Sequence, residues 1–190
     1  MRIVVTGASG NLGTALLRRL AADDEAHDVV GIVRRPPQAG ADYAGVEWHA
    51  LDLADDDAAA RLRGIVEGAD AVVHLAWLFQ PSRDIDYLRK ATVGGSRAVL
   101  DAATEAGVGH LVHLSSLGAY SPGPKDRAVD ESWPTGGSPT LPYSRHKVEV
   151  EPSRVDRLDP RTPGECCRRP QHRGRQVHRP GTEGGGEVVA

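Results

Sequence analysis

The sequence is short of cysteine, of long apolar runs and of any dominant charge, and each shortage removes a class of protein. Its two cysteines, Cys166 and Cys167, are adjacent. Adjacent thiols suit neither a disulfide framework nor the spaced ligands of a metal site, so no metal is expected. No segment approaches the ~20 apolar residues that a membrane-spanning helix needs. The first apolar run, Ile3-Val4-Val5, is far shorter than a secretory h-region and leads straight into a glycine turn. With 23 basic and 26 acidic residues the formal charge is only -3. That balance offers no electrostatic case for nucleic acid or an anionic membrane as a partner. At 39% hydrophobic and 4% aromatic residues, the bulk composition is that of an ordinary soluble protein. A cytoplasmic, reduced setting is the expectation.

What is present is alternation. The 190 residues suffice for one sizeable domain and are few for two. Arg2–Thr6 reads as a strand, apolar without alternation, as a strand buried on both faces should be. Asn11–Ala22 reads as a helix with Leu12, Ala15, Leu16 and Leu20 on one face. Val29–Val33 and Val46–Leu51 follow as strands. Ala54–Val66 reads as a helix opened by three aspartates, which suit its N-terminus. Ala71–Ala76 is a fourth strand, Asp84–Ala106 a long helix capped by Asp84 or Ser82, and His110–Leu114 a fifth strand. A Pro/Gly/Ser-rich loop over 122–142 precedes a helix beginning at Tyr143–Glu151. The pattern predicts an α/β, Rossmann-like doubly wound parallel sheet with right-handed crossovers, incomplete at its C-terminal side.

The character then changes. The first 150 residues carry 15 basic and 20 acidic groups, whereas the last 40 carry 8 and 6. That final stretch has 5 Pro, 6 Gly and 8 Arg, no Lys, no aromatic and only five Leu, Ile or Val. It lacks the apolar surface needed to offset its ordering entropy. The expected organisation is therefore a domain over 1–151 and a Pro/Gly/Arg-rich tail over 152–190. The tail is read either as disordered or as a non-native continuation, for example from a shifted reading frame.

The most informative motif lies between the first strand and first helix: Thr6-Gly7-Ala8-Ser9-Gly10-Asn11-Leu12-Gly13. Gly7 permits the sharp turn, Gly10 lets backbone approach a pyrophosphate, and Gly13 lets the helix pack closely on the strand. The helix N-terminus then presents free N–H groups and a positive dipole end to phosphates. This is a dinucleotide-binding turn, with Ser9, Asn11 and Leu12 as further candidate contacts. An NAD site usually places a carboxylate about 20 residues beyond the glycines, on the ribose 2′-OH. The corresponding stretch, Gly31-Ile32-Val33-Arg34-Arg35-Pro36, has no acid. Arg34 and Arg35 suit a 2′-phosphate instead, so NADP is preferred over NAD, unless both are merely solvated loop arginines.

The Gly-x-x-Gly-x-x-Gly spacing, together with Tyr143-Ser-Arg-His-Lys147, makes the chain resemble the short-chain dehydrogenase/reductase superfamily. The closer likeness is to its extended branch, the NAD-dependent epimerase/dehydratase family, over about residues 1–151. Asp52-Leu53, His74-Leu75-Ala76 and Leu114-Ser115-Ser116 followed by Tyr120 match in order. The resemblance implies that Asp52 and Leu53 contact the adenine and that Leu75 and Ala76 flank the cofactor. It also implies that Lys147 holds the nicotinamide ribose. A tyrosine serves as general acid/base when its phenol, ordinarily ionising near ~10, is brought toward neutrality. A lysine at i+4 shares the helix face and does this, which pairs Lys147 with Tyr143. A serine hydroxyl would orient the substrate oxygen. Ser115 and Ser116 are both candidates, and Ser116 is favoured because it lies four residues before Tyr120.

Other side chains carry plainer expectations. His74 belongs to the strand-end motif, and His110 and His113 are read as structural. Trp77 and Phe79 either line the cleft or simply pack. Thr92 stands where the family usually carries an Asn that helps order a water linked to the lysine. The implied reaction is hydride transfer at a carbonyl or alcohol carbon, on nucleotide sugars or other alcohols and ketones. The alternative is a dinucleotide-binding module, or an inactive fragment, without turnover. The expected partner is a small-molecule substrate, and a homodimer is one possible assembly.

Overall fold

A computed structural model of the chain describes residues 1–38, 40, 43–79 and 83–158, the last seven of these as backbone only. Five strands, β1 (Arg2–Thr6), β2 (Asp28–Val33), β3 (Val46–Ala50), β4 (Ala71–His74) and β5 (His110–His113), form one sheet. All neighbours pair in parallel, in the order β3-β2-β1-β4-β5. Parallel neighbours require crossovers, and helices α1 (Asn11–Ala21), α2 (Ala58–Val66), α3 (Ile85–Arg89), α4 (Gly95–Glu105) and α5 (Pro142–Leu158) occur along the chain accordingly. The Rossmann-like, doubly wound reading holds.

Strands β1, β2 and β4 are apolar on both faces because both faces are covered. Val4 lies opposite Val30 and Val72. With Ile32 they pack against Leu62 and Val66 of α2 and Val99 and Ala103 of α4. The alternate residues Ile3, Val5, Val29, Val33 and Ala71 turn to the other face and meet Leu17 of α1. Each fully buried Val or Leu contributes about 2 kcal/mol, which holds these short helices more firmly than their propensities do. Helix α5 joins the α4 side, where Val150 meets Leu100 and Val93. Helix α4 ends at Gly107, whose φ of +66° suits a left-handed cap. There Val108 N–H bonds Ala103 O and Gly107 N–H bonds Thr104 O. The described sheet ends at β5, with Val112 and Leu114 exposed.

Two expectations about helices are corrected. The helix predicted from Ala54 begins only at Ala58. Asp52 accepts the Ala54 N–H through its side chain at 2.9 Å and the Asp55 N–H through its carbonyl, which winds 52–57 into turns. The long helix predicted over Asp84–Ala106 is divided. Lys90–Gly94 forms a π-helical turn between α3 and α4, where Thr92 Oγ1 donates to Leu88 O at 2.7 Å. Such an inserted turn lets the chain shift register without ending the helix. Asp84 caps α3, its carboxylate accepting the Tyr87 N–H at 2.9 Å. Ser82 and the predicted tail beyond residue 158 lie outside the described residues.

Candidate active site

The glycine turn is built to leave no room for side chains. At Gly7 φ is +71°, and a Cβ would lie 2.8 Å from the Ala76 backbone nitrogen at the end of β4. At Gly13 a Cβ would lie 2.4 Å from both the Gly7 and Ala8 carbonyl oxygens, so only glycine lets α1 start this close to the turn. Gly7 N–H bonds Ile32 O at 2.8 Å, tying the turn to β2. Gly10 stands at the N-cap of α1 without a side-chain cap, and no acidic residue occupies the first turn. The positive end of this helix is thus left for an external anion, which is the cradle a pyrophosphate needs.

An open cleft runs from this turn along the carboxyl ends of the strands. Its lining includes Gly7, Ser9 and Gly10 from the turn, Arg34 and Arg35 after β2, and Asp52 and Leu53 after β3. Leu75, Ala76 and Trp77 after β4 complete that wall. Nine of the predicted cofactor residues therefore meet in one place. Asn11, Leu12 and Gly13 lie outside the lining, in the first turn of α1, where Leu12 is exposed. Lys147 is also outside it, but its ammonium sits 3.4 Å above the Trp77 ring. Leu53 is wedged against Gly95, where a Cβ would come within 2.6 Å of the Leu53 Cβ. That contact explains a glycine at the start of α4.

Of the predicted Ser, Tyr and Lys, Tyr143 and Lys147 meet beside Trp77, and Ser116 lies across Gly118 from the Tyr143 ring. The Tyr143 ring meets Trp77 and Phe79 edge-on, with centroids 6.0 and 5.1 Å away. Lys147 Nζ lies 6.0 Å from the Tyr143 ring centroid. It donates to Leu114 O at 2.8 Å and is nearly buried. Burial lowers its pKa to about 8, with Glu151 opposing the shift. Ser116 Oγ accepts the Gly118 N–H at 3.0 Å. Gly118 stands between that oxygen and the Tyr143 ring, since its Cβ would lie 3.4 Å from one and 3.3 Å from the other. Ser115 points elsewhere and donates to Glu151. The Ser144 hydroxyl donates to Gly118 O at 2.6 Å, which pins α5 to this loop.

Histidines support the site from beneath. His74 is fully buried, bonded through Nδ1 to Thr6 Oγ1 at 2.6 Å and through Nε2 to Ser96 Oγ at 2.8 Å. Thr6 Oγ1 also accepts the Ala76 N–H at 3.2 Å, so these groups fix the end of β4 beneath the cleft. Burial, then His113 stacked 5.2 Å away and Lys147, push the His74 pKa down to about 3. Between pH ~6.5 and about 3 the unfolded chain binds a proton that folded His74 excludes. Stability is therefore expected to fall as pH falls through that range, with a slope of up to about 1.4 kcal/mol per pH unit from this group. Urea midpoints of the parent and His74→Asn, compared across that range, should show a shallower loss in the variant; parallel curves would contradict the assignment.

Sequence reasoning missed four contacts, all between distant positions. Tyr87 donates to Asp52 Oδ2 at 2.6 Å and accepts from Arg34 Nη1 at 3.3 Å. Thr92 Oγ1 lies 3.1 Å from His146 Nδ1, both residues being buried. Ser115 meets Glu151. No local pattern signals any of them. Among the described residues no group of His, Cys, Asp and Glu could hold a metal ion. No described helix is long and apolar enough to cross a membrane.

Comparison with known proteins agrees with this geometry. The NAD dependent epimerase/dehydratase family matches residues 3–153. An L-arabinose 1-dehydrogenase (NAD(P)(+)) of Haloferax volcanii is 37% identical over 115 residues, covering 60% of this chain and 41% of its own length. A UDP-glucose 4-epimerase of Mycolicibacterium smegmatis is 31% identical over 160 residues, covering 80% and 49%. Among solved structures, a short-chain dehydrogenase/reductase superfamily protein from Agrobacterium tumefaciens with bound NAD superposes with a TM-score of 0.66. It is 30% identical, over 80% of this chain and 43% of that one. The chain thus spans less than half the length of each of these proteins. The family match runs from Ile3 in β1 through the other four strands and into α5 as far as residue 153, and the chain belongs to the NAD-dependent epimerase/dehydratase family.

Proposed function

We propose that residues 1–151 form an NAD(P)-binding domain whose site serves hydride transfer at a carbonyl or alcohol carbon of a small molecule. The observation that carries this reading is the position of Trp77. It lines the dinucleotide cleft on one side and touches both Tyr143 and Lys147 on the other, so cofactor cradle and acid/base pair adjoin. Gly7, Ser9 and Gly10 with the open end of α1 would hold the pyrophosphate. Arg34, Arg35, Asp52 and Leu53 would hold the adenosine, and Leu75 and Ala76 would flank the nicotinamide half. When bound, the cofactor supplies a nicotinamide ring able to accept or give hydride. The chain's own groups manage the proton: Tyr143 exchanges it with the substrate oxygen, and Lys147 stands beside it on the same helix face. Ser116 donates a hydrogen bond to the same oxygen. Ser116 suits that role better than Ser115, whose hydroxyl is engaged by Glu151.

NADP is the cofactor this reading favours. The stretch Gly31–Pro36 at the end of β2 has no carboxylate, whereas Arg34 and Arg35 both line the cleft there. The double variant Arg34→Ala/Arg35→Ala is expected to weaken NADPH binding about 150-fold, since each charge-assisted hydrogen bond carries about 1.5 kcal/mol and the two together about 3 kcal/mol. NADH binding should change less than about threefold, because it lacks the phosphate these groups would hold. Fluorescence titration with both nucleotides checks this, and equal losses for the two would refute the NADP reading.

Substrates of the nucleotide-sugar, sugar or ketone class fit the reaction, and an assay of reduced nicotinamide formed or consumed across such a panel tests the enzyme reading. A second reading, a dinucleotide-binding module without turnover, has two observations in its favour. The Lys147 ammonium is committed to Leu114 O and the Trp77 face, and Thr92 replaces the family's usual Asn. Saturable NADPH binding with no turnover on the panel would favour that module.

A further inference from the structure

Arg34 and Asp52 line the same end of the cleft with opposite charges, yet among the described residues they form no direct ion pair. The phenol of Tyr87 stands between them. Its hydroxyl donates to Asp52 Oδ2 at 2.6 Å and accepts from Arg34 Nη1 at 3.3 Å. The backbone that carries the ring is fixed at the start of α3, where the Tyr87 N–H is bonded to the capping Asp84 carboxylate. Asp52 is fixed as well, its second oxygen accepting the Ala54 N–H at 2.9 Å. The hydrogen bond to Asp52 and, after it, burial push the Tyr87 pKa up, with Arg34 opposing, so the hydroxyl keeps its proton.

We propose that Tyr87 is a specificity-determining positioning residue: its hydroxyl tethers Arg34 at the adenosine end of the cleft, ready for a 2′-phosphate, and keeps the guanidinium from collapsing onto Asp52. The inference rests on the NADP reading above. Its physical basis is preorganisation. A guanidinium has five N–H donors in a planar fork, and Tyr87 uses one of them, leaving the others for phosphate oxygens. Without the tether, the long Arg34 side chain either samples many rotamers or pairs with Asp52. Both states must be undone before a phosphate can bind. A nucleotide without the 2′-phosphate gains little from Arg34 and is indifferent to the tether.

The test is Tyr87→Phe in the full chain, which keeps the ring and removes only the hydroxyl. NADPH and NADH dissociation constants are measured by fluorescence at one ionic strength, with 2′,5′-ADP and 5′-AMP as competing ligands. NADPH and 2′,5′-ADP are expected to weaken about fivefold, the scale of ordering one long side chain, with NADH and 5′-AMP within about twofold. Equal weakening of all four would mark Tyr87 as merely structural and overturn the proposal, as would no change in any. Arg34→Ala, measured alongside, separates the two levels. If it removes the NADPH preference while Tyr87→Phe leaves it intact, the tether fails and the NADP reading stands. If neither Arg34→Ala nor Arg35→Ala alters the preference, both fall together.

Discussion

Replacing Tyr143 by phenylalanine is expected to lower turnover about a thousandfold, the usual worth of a positioned acid/base group, while NADPH affinity stays within about twofold. The separation follows from where the residue sits. Tyr143 is on α5 and adjoins the cleft through Trp77, with Phe79 packed edge-on beside it, so its hydroxyl is not part of the cradle around Gly7 and Gly10. Phenylalanine preserves those ring contacts, and the pins that hold α5 are other groups, Ser144 to Gly118 and Lys147 to Leu114. What disappears is the proton exchange with the substrate oxygen. A kcat reduced with unchanged cofactor affinity is the signature of an interaction made in the transition state. Comparable kcat in Tyr143→Phe and the parent would overturn the assignment of Tyr143.

A second large effect is expected at Gly13. A Cβ there meets two backbone oxygens, those of Gly7 and Ala8, at 2.4 Å. Carbonyl oxygens in a tight turn cannot rotate aside as a side chain can, so α1 must move away from the turn. Gly13→Val should cost about 3 kcal/mol of stability, the upper range for overpacking, and lower Tm by about 6–12 °C for a domain of this size. It should also lose nucleotide affinity, because the displaced N-terminus of α1 is the phosphate cradle. Gly64→Ala is the matching control. Gly64 lies in α2 with open space where a Cβ would go, and alanine there should add about 0.5–1 kcal/mol. Equal melting temperatures for Gly13→Val and the parent would contradict the close packing described.

Strands β1 and β2 were legible because burial on both faces leaves short apolar runs without alternation, as in Ile3–Val5 and Val29–Val33. The glycine turn was legible because each glycine answers a local steric demand. Helix starts were less so. The three aspartates before Ala58 suggested an earlier N-terminus, but the Asp52 side chain captured a nearby N–H and held the chain in turns. The break in the long helix left no trace in the apolar pattern, since a π turn changes register without changing composition. Asp52 and Arg34 could each be assigned to the adenosine end by position. The phenol linking them could not, since Tyr87 lies 35 and 53 residues away from them in the chain. Contacts of that kind are set by how the loops after parallel strands converge.

The account stands on one claim, that the cleft between Gly7, Arg34 and Trp77 binds a nicotinamide dinucleotide. Thermal melting of the chain with increasing NADPH tests it most directly. A cooperative transition is predicted to rise by about 5–10 °C at a hundredfold excess over the dissociation constant, since binding at that level adds about 2.7 kcal/mol to the folded state. A broad melt that neither NADPH nor NADH displaces would contradict the claim.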